Sequence, residues 1–411
     1  MDSLVADTAT PPPLAAKART RVAPVIDWLL AERIGLAHSP ELFGRFCDRF
    51  ARTGVQVDRT TIHIPQLHPQ VRARSMLWQR DSGEVSETNR THGIETTGDY
   101  LKSPVRRIFD GGPMIRRHIE APDCPRDFPI LDEIDQEGCT DYTMWPLPFS
   151  SGGLVNAISF ATRRPGGFTA LDLAMIEAAL PAFGAVMEMA HLRRTARTLL
   201  ETYLGPTSGE RVLSGAIKRG DGEVINAVLW YCDLRNFTEL SETLPLDEVI
   251  ALLNDYFEAM ARPVKAAGGE ILKFMGDAML AIFPLAGLNP EGACTACCTG
   301  LAVAEQALVG FAAVNEKRAA AGKTPLRCGV ALARGNVMYG NIGDVERLDF
   351  TVIGPAVNLA TRLEDLTRDL ALDPPVVFSA AIAANCGRQS RPLGRFKLKG
   401  IAQEQEAFTL A

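Results

Sequence analysis

Gly268-Gly-Glu-Ile-Leu-Lys-Phe-Met-Gly-Asp-Ala-Met-Leu-Ala-Ile-Phe283 decides how this chain is read. Apolar runs at 270–275 and 278–283 flank Gly276-Asp277, and the glycine lets the backbone bend beside the carboxylate. A carboxylate inside an apolar run is costly to bury unless a cation or hydrogen bonds compensate it. Asp233 poses the same problem after Ala227-Val-Leu-Trp-Tyr-Cys232. Two such carboxylates, on what read as neighbouring strands, suggest a site for hard divalent cations and so a phosphate substrate. Lys273 precedes Asp277 by an even spacing, which on a strand places both side chains on one face.

Asp233-Leu-Arg-Asn-Phe-Thr238 puts a carboxylate at a strand end, followed by a turn toward a helix. Backbone N–H groups in such a turn can cradle phosphate oxygens. An aspartate that only caps a helix has the same pattern. Farther along, Asp349-Phe-Thr351-Val-Ile-Gly-Pro-Ala-Val-Asn358-Leu-Ala-Thr-Arg362 enters a helix after Gly354-Pro355. Asn358 and Arg362 then project one turn apart from one face. An amide beside a guanidinium can position a ribose and stabilise phosphoryl charge. The alternative is an Asn/Arg pair on a solvated face.

In this order and spacing the three segments resemble the class III nucleotidyl cyclases, the family of adenylate and guanylate cyclases. The resemblance covers residues 222–411. It implies that Asp233 and Asp277 hold Mg2+ or Mn2+, two ions per site, with the Leu234 carbonyl as an added ligand. Lys273 matches the residue that hydrogen-bonds adenine, and Thr351 falls where many members carry the partner aspartate. Asn358 and Arg362 match the ribose-orienting and transition-state-stabilising residues. Lys399, in Phe396-Lys-Leu-Lys-Gly400, resembles the terminal-phosphate lysine. Arg347 and the turn residues Asn236, Phe237 and Thr238 are further substrate-binding candidates.

A threonine hydroxyl at 351 can still read the exocyclic amine of adenine. Lys with Thr resembles the bacterial adenylate cyclase subclass whose members are often bicarbonate-responsive; guanine-selective members usually carry Glu and Cys-like residues there. The implied reaction is ATP to cyclic AMP and pyrophosphate. All six histidines lie at or before His191. That fits metal-assisted rather than histidine-assisted deprotonation. In the family, one subunit supplies the metal and adenine residues and the other supplies Asn and Arg. This chain carries both halves, which implies a head-to-tail homodimer. A guanylate cyclase and a degenerate nucleotide-binding regulatory module are the alternatives. Gly268-Gly-Glu-Ile also resembles the turn of diguanylate cyclases, but the residues after it do not fit that family.

Strand and helix patterns alternate around these segments: strand 227–232, helix 247–265, strands 270–275 and 278–283, helix 291–321, strands 326–332 and 349–353, helix 355–368. The expected class is α+β, with a ferredoxin-like α/β sandwich over 222–411. Residues 1–24, with three consecutive prolines, read as a disordered arm. Residues 25–190 resemble a GAF sensor domain through Trp145-Pro-Leu-Pro-Phe-Ser-Ser-Gly-Gly-Leu-Val-Asn-Ala-Ile-Ser-Phe160 and Gly167-Phe168-Thr-Ala-Leu-Asp-Leu173. That resemblance implies an α/β fold with an unknown small-molecule or ion ligand. Ser151-Gly152-Gly153 reads as a hairpin turn. Residues 191–221 read as a helical linker or transducer, loop-rich at 203–209.

A length of 411 residues suits two domains. The chain is 46% hydrophobic with net charge -6 and no basic block, which argues against general nucleic-acid binding. The N-terminus lacks a signal-peptide pattern. The apolar run at 293–304 stops at Glu305-Gln306, too short for a membrane span, so a cytoplasmic location is expected. Cys294-Thr-Ala-Cys297-Cys298 reads as a buried helix face, and His63, His68, His92 and His118 show no ligand spacing.

Overall fold

Period-two alternation builds the first unit, Met1–Leu199. Its elements are α1 (Pro12–Glu32), α2 (Ser39–Ala51), β1 (Arg59–Pro65), β2 (Val71–Gln79), β3 (Val85–Thr91), α3 (Gly98–Leu101), α4 (Pro104–Phe109), β4 (Ile115–Arg117), α5 (Ile130–Gln136), β5 (Asp141–Leu147), β6 (Asn156–Thr162) and α6 (Ala170–Leu204). The strands form an antiparallel sheet in the order β3-β2-β1-β6-β5-β4. Ile62, Ile64, Met76, Trp78, Ile158 and Phe160 face a core with α2 and α6. There Phe46 stacks on Phe183 at 3.9 Å. Tyr142, Met144 and Ala157 face a second core with Ile108, Leu131 and Ile134. Gly184 permits the close passage of α6, since a Cβ there would lie 2.5 Å from the Pro148 carbonyl oxygen.

This computed structural model describes residues 12–32, 39–150, 156–285 and 290–411. The hairpin expected at 151–153 lies outside the described residues, as do residues 1–11. Over 12–24 the expectation of disorder is corrected, because α1 begins at Pro12. Pro12 and Pro13 sit in its first turn, where a missing N–H costs no helical bond. Ala18, Val22, Val25 and Leu29 then supply a buried stripe.

The second unit, Leu200–Ala411, contains α7 (Pro206–Leu213), β7 (Gly222–Leu234), α8 (Phe237–Thr243), α9 (Leu246–Ala266), β8 (Glu270–Met275), β9 (Ala278–Pro284), α10 (Pro290–Ala320), β10 (Cys328–Gly343), β11 (Leu348–Ile353), α11 (Pro355–Asp369), β12 (Val376–Ser379), α12 (Ala380–Ala383), β13 (Ser390–Phe396) and β14 (Gln405–Leu410). The sheet runs β13-β14-β12-β10-β7-β9-β8, with β11 also on β10. Val228, Trp230 and Cys232 turn to a core with α9 and α10. Ala227, Leu229 and Tyr231 turn to a core with α11. The architecture is mixed α+β.

Residues 203–209 are not the expected loop: Gly205, at φ 88°, separates α6 from α7. The membrane expectation also needs correction. α6 and residues 291–320 of α10 are long and apolar enough to cross a membrane by length and composition, each with mean hydropathy 1.6. Each buries a face against its own sheet, a role that demands the same apolarity.

Candidate active site

Asp233 is the penultimate residue of β7, between Gly329 of β10 and Ala278 of β9. Asp277 sits in the tight turn between β8 and β9, where Gly276 adopts φ 65°. The Asp233 carboxyl is pushed up to about 7, chiefly by burial and then by the charges of Asp277 and Glu364. Its Oδ1 is buried without a hydrogen-bond partner. An orphaned anionic oxygen beside a second carboxylate is the environment a divalent cation would relieve. Among the described residues, no group of three or more His, Cys, Asp or Glu side chains gathers as metal ligands. The two aspartates therefore fit a hard ion that takes its other ligands from backbone oxygens, water and phosphate.

Lys273 reaches the same face of the sheet by an unexpected route. Ile271 pairs with Ala281, but Lys273 pairs with Leu280, so a bulge inserts Leu272. Side-chain alternation reverses at such an insertion. Leu272 and Leu280 both lie in the core beneath α11, whereas Phe274 lies 4.5 Å from Phe257 of α9 between ring centroids. Without the bulge, Lys273 would face α9. Instead its Nζ meets Asp349 Oδ2 of β11 at 3.1 Å. Asp349, which opens a motif quoted above, was not assigned a role by sequence reasoning. Thr351, two residues along β11, is buried, and none of the described side chains hydrogen-bonds to it.

Asn236, at φ 58°, turns the chain from β7 into α8, which Phe237 and Thr238 open. First-turn N–H groups have no partner within a helix. The Leu234 backbone is paired opposite Cys328 in the ladder. Asn358 is exposed and Arg362 is partly exposed on α11, with Arg362 Nη1 3.6 Å from Asp365. Among the described residues, neither hydrogen-bonds nor ion-pairs with Asp233, Asp277 or Lys273. Arg347, in the turn before β11, and Lys399, between β13 and β14, are exposed. The chain by itself thus brings Asp233, Asp277 and Lys273 to one face, and among the described residues no hydrogen bond or ion pair joins Asn358, Arg362, Arg347 or Lys399 to them.

A buried ion pair not anticipated from sequence ties α11 to the end of β7. Arg235 Nη2 lies 2.7 Å from Glu364 Oε1 and also donates to Thr367 Oγ1. Gly329 makes room for it, since a Cβ there would overlap both partners. Burial raises the Glu364 carboxyl, and the Arg235 guanidinium opposes that shift. The only linear signal was a glutamate two residues after Arg362.

Residues 223–410 match the family described as "Adenylate and Guanylate cyclase catalytic domain". Over that segment, a little under half of the chain, the fold and the carboxylate pair accord with a class III nucleotidyl cyclase catalytic domain. It is 33% identical to an adenylate cyclase of Anabaena cylindrica over 174 residues, 41% of this chain and 33% of the relative. It is 34% identical to adenylate cyclase 1 of Rhizobium meliloti over 172 residues, 41% of this chain and 25% of the relative. The matches thus span a quarter to a third of those curated relatives. Among solved structures, it is 28% identical to the guanylyl cyclase Cya2 at TM-score 0.39, covering 46% of this chain and 92% of that one. It is 27% identical to the adenylyl cyclase CyaB from P. aeruginosa at TM-score 0.38, covering 46% and 94% respectively.

Proposed function

We propose that this protein is an adenylate cyclase that converts ATP to cyclic AMP and pyrophosphate at sites shared between two copies of the chain. The observation that carries the reading is the Asp233/Asp277 pair, with its orphaned buried oxygen, on the face to which the bulge delivers Lys273. The likeness to two curated adenylate cyclases and the Lys273/Thr351 combination support adenine over guanine.

Asp233, Asp277 and the Leu234 carbonyl would hold two Mg2+ or Mn2+ ions. When bound, such ions supply charge that acidifies the ribose 3′-hydroxyl and neutralises the triphosphate. The chain's own residues bind and orient. Lys273 and Thr351 hold the edge of the base. The backbone of Asn236, Phe237 and Thr238, with Arg347 and Lys399, binds phosphate oxygens. Asn358 orients the ribose, and Arg362 stabilises charge growing on the phosphoryl group. The exposure of Asn358 and partial exposure of Arg362, neither bonded to Asp233 or Asp277, supports a head-to-tail homodimer in which the partner supplies them. Use of cellular ATP supports the reading of a cytoplasmic catalytic domain.

The first unit reads as a GAF-like sensor acting through residues 191–221. Its sheet and short helices line a half-open cavity of about 650 Å³, with Thr61, His63, Ser75, Tyr100, Phe109 and Met144 among the lining residues. That volume suits a small ligand.

The test is product identification by mass from ATP and from GTP, using the full chain with Mg2+ or Mn2+. Cyclic AMP in large excess is expected. Predominant cyclic GMP would replace this reading with a guanylate cyclase. No turnover with either metal would leave a nucleotide-binding regulatory module.

A further inference from the structure

The cysteines of α10 do not form the buried face expected of them. Cys297 is buried, but Cys294 is exposed and Cys298 is half-buried. Cys294 and Cys298 are one turn apart, with their sulfurs 4.0 Å from each other. The fold then adds a third thiol from a distant stretch of chain. Cys386, buried just beyond α12, accepts a hydrogen bond from the Cys298 thiol at 3.6 Å between sulfurs.

We propose that Cys298 and Cys386 form a dithiol site that is oxidised reversibly to an intrachain disulfide by a hydroperoxide. A disulfide needs its sulfurs about 2.05 Å apart, so the pair must close by roughly 1.5 Å. Cys386 lies in irregular chain after α12, which can supply that movement, while Cys298 is held in a long helix. A second contact keeps the two segments together: Arg388 Nη1 meets Glu305 Oε2 of α10 at 2.6 Å. The same guanidinium lies within electrostatic reach of both sulfurs.

The half-buried Cys298 is the thiol that meets the oxidant. Its thiolate attacks one peroxide oxygen, the O–O bond breaks, and a sulfenic acid forms with release of the alcohol, or of water from hydrogen peroxide. The Cys386 sulfur then attacks the Cys298 sulfur and expels water. Two thiols lose two electrons and two protons in all, and the peroxide gains them. Dithiothreitol reverses the step by thiol–disulfide exchange. Cys294, exposed beside Cys298, is placed to open the disulfide from outside. In a reducing compartment a disulfide of this kind is transient rather than structural.

The experiment treats the reduced full chain with a few equivalents of hydrogen peroxide, blocks the remaining thiols, and maps the non-reduced digest by mass. The expected result is a linked peptide pair containing Cys298 and Cys386, 2 Da lighter than its reduced parts and restored by dithiothreitol. Cys298→Ser should abolish that pair, and Cys47→Ser should leave it intact. The map of the unmutated chain decides the question even if a variant fails to fold. Over-oxidised Cys298 with free Cys386 would overturn the proposal, as would crosslinks only between chains. So would stoichiometric zinc that shields Cys294, Cys298 and Cys386 from alkylation until it is chelated.

Discussion

Ser208 donates twice to one oxygen of Glu270: its backbone N–H and its hydroxyl reach Oε1 at 2.9 and 2.7 Å. The other oxygen accepts from the Tyr339 hydroxyl at 2.8 Å, and all three residues are buried. Ser208 lies in the first turn of α7, where N–H groups lack helical partners, so a side chain from β8 caps that helix. The bulge that turns Lys273 to the site begins just after Glu270. Through this carboxylate, α7 grips the strand that carries Lys273.

Glu270→Ala leaves the Ser208 N–H without its acceptor and the Ser208 and Tyr339 hydroxyls, 2.9 Å apart, with only each other, at roughly 1–3 kcal/mol for each buried group left unsatisfied. The expected result is a clearly lower denaturation midpoint and about a tenfold fall in kcat, with Glu270→Gln losing far less of both. Unchanged kcat in a folded Glu270→Ala protein would remove the strand-positioning role.

Asp233→Ala and Asp277→Ala should each lower turnover by at least about 10²-fold through loss of ion binding. Each should also weaken Mn2+ binding measured directly by calorimetry. Near-normal turnover in either would sink the metal assignment.

Equal amounts of Asp277→Ala and Arg362→Ala protein, each inactive alone, should recover about a quarter of wild-type activity. In random assortment half the dimers are mixed, and each mixed dimer has one intact site. An absence of complementation in verified mixed dimers counts against shared sites.

Lys273→Glu combined with Thr351→Cys should reduce the preference for ATP over GTP by about tenfold or more, as base-edge hydrogen bonds are lost. Measured kcat/KM values for the two nucleotides report it. An unchanged ratio would free both residues from base recognition.

His63 predicts a pH dependence in the first unit. Its ring hydrogen-bonds Ser75 at 2.8 Å, and burial, reinforced by the charges of Arg90 and Arg59, lowers its pKa to about 4. Because the folded pKa lies below the unfolded 6.5, the stabilising contribution is complete above pH 6.5. It is lost progressively as the pH falls toward 4, by at most roughly 3 kcal/mol. Denaturation midpoints of the wild type should therefore drop between pH 7 and pH 4.5 more than those of His63→Gln. Parallel pH profiles would contradict this.

Patterns local to the chain were readable because their physical cause is local. Apolar runs broken by an aspartate placed β7, β8 and β9, and helical spacing placed α9 and α11 to within about two residues. The 16-residue length of β10 was not readable, since its extension depends on pairing with β7 and β11. Nor was α1, whose prolines suggested disorder until a core existed for Val22, Val25 and Leu29 to enter. The Arg235–Glu364 pair joins residues 129 apart along the chain, and no linear period announces such a contact.

By itself, the sequence determined that two carboxylates interrupt apolar strands and that their flanking residues follow the pattern of a nucleotidyl cyclase domain. Tertiary structure alone decided which way those residues face. A single bulge residue reverses strand alternation and turns Lys273 toward Asp349, and Glu270 and Glu364 tie the elements around that face to α7 and Arg235. Chemistry resides in residue identity, which the linear chain carries. Direction and company depend on register and packing, which exist only once distant segments meet.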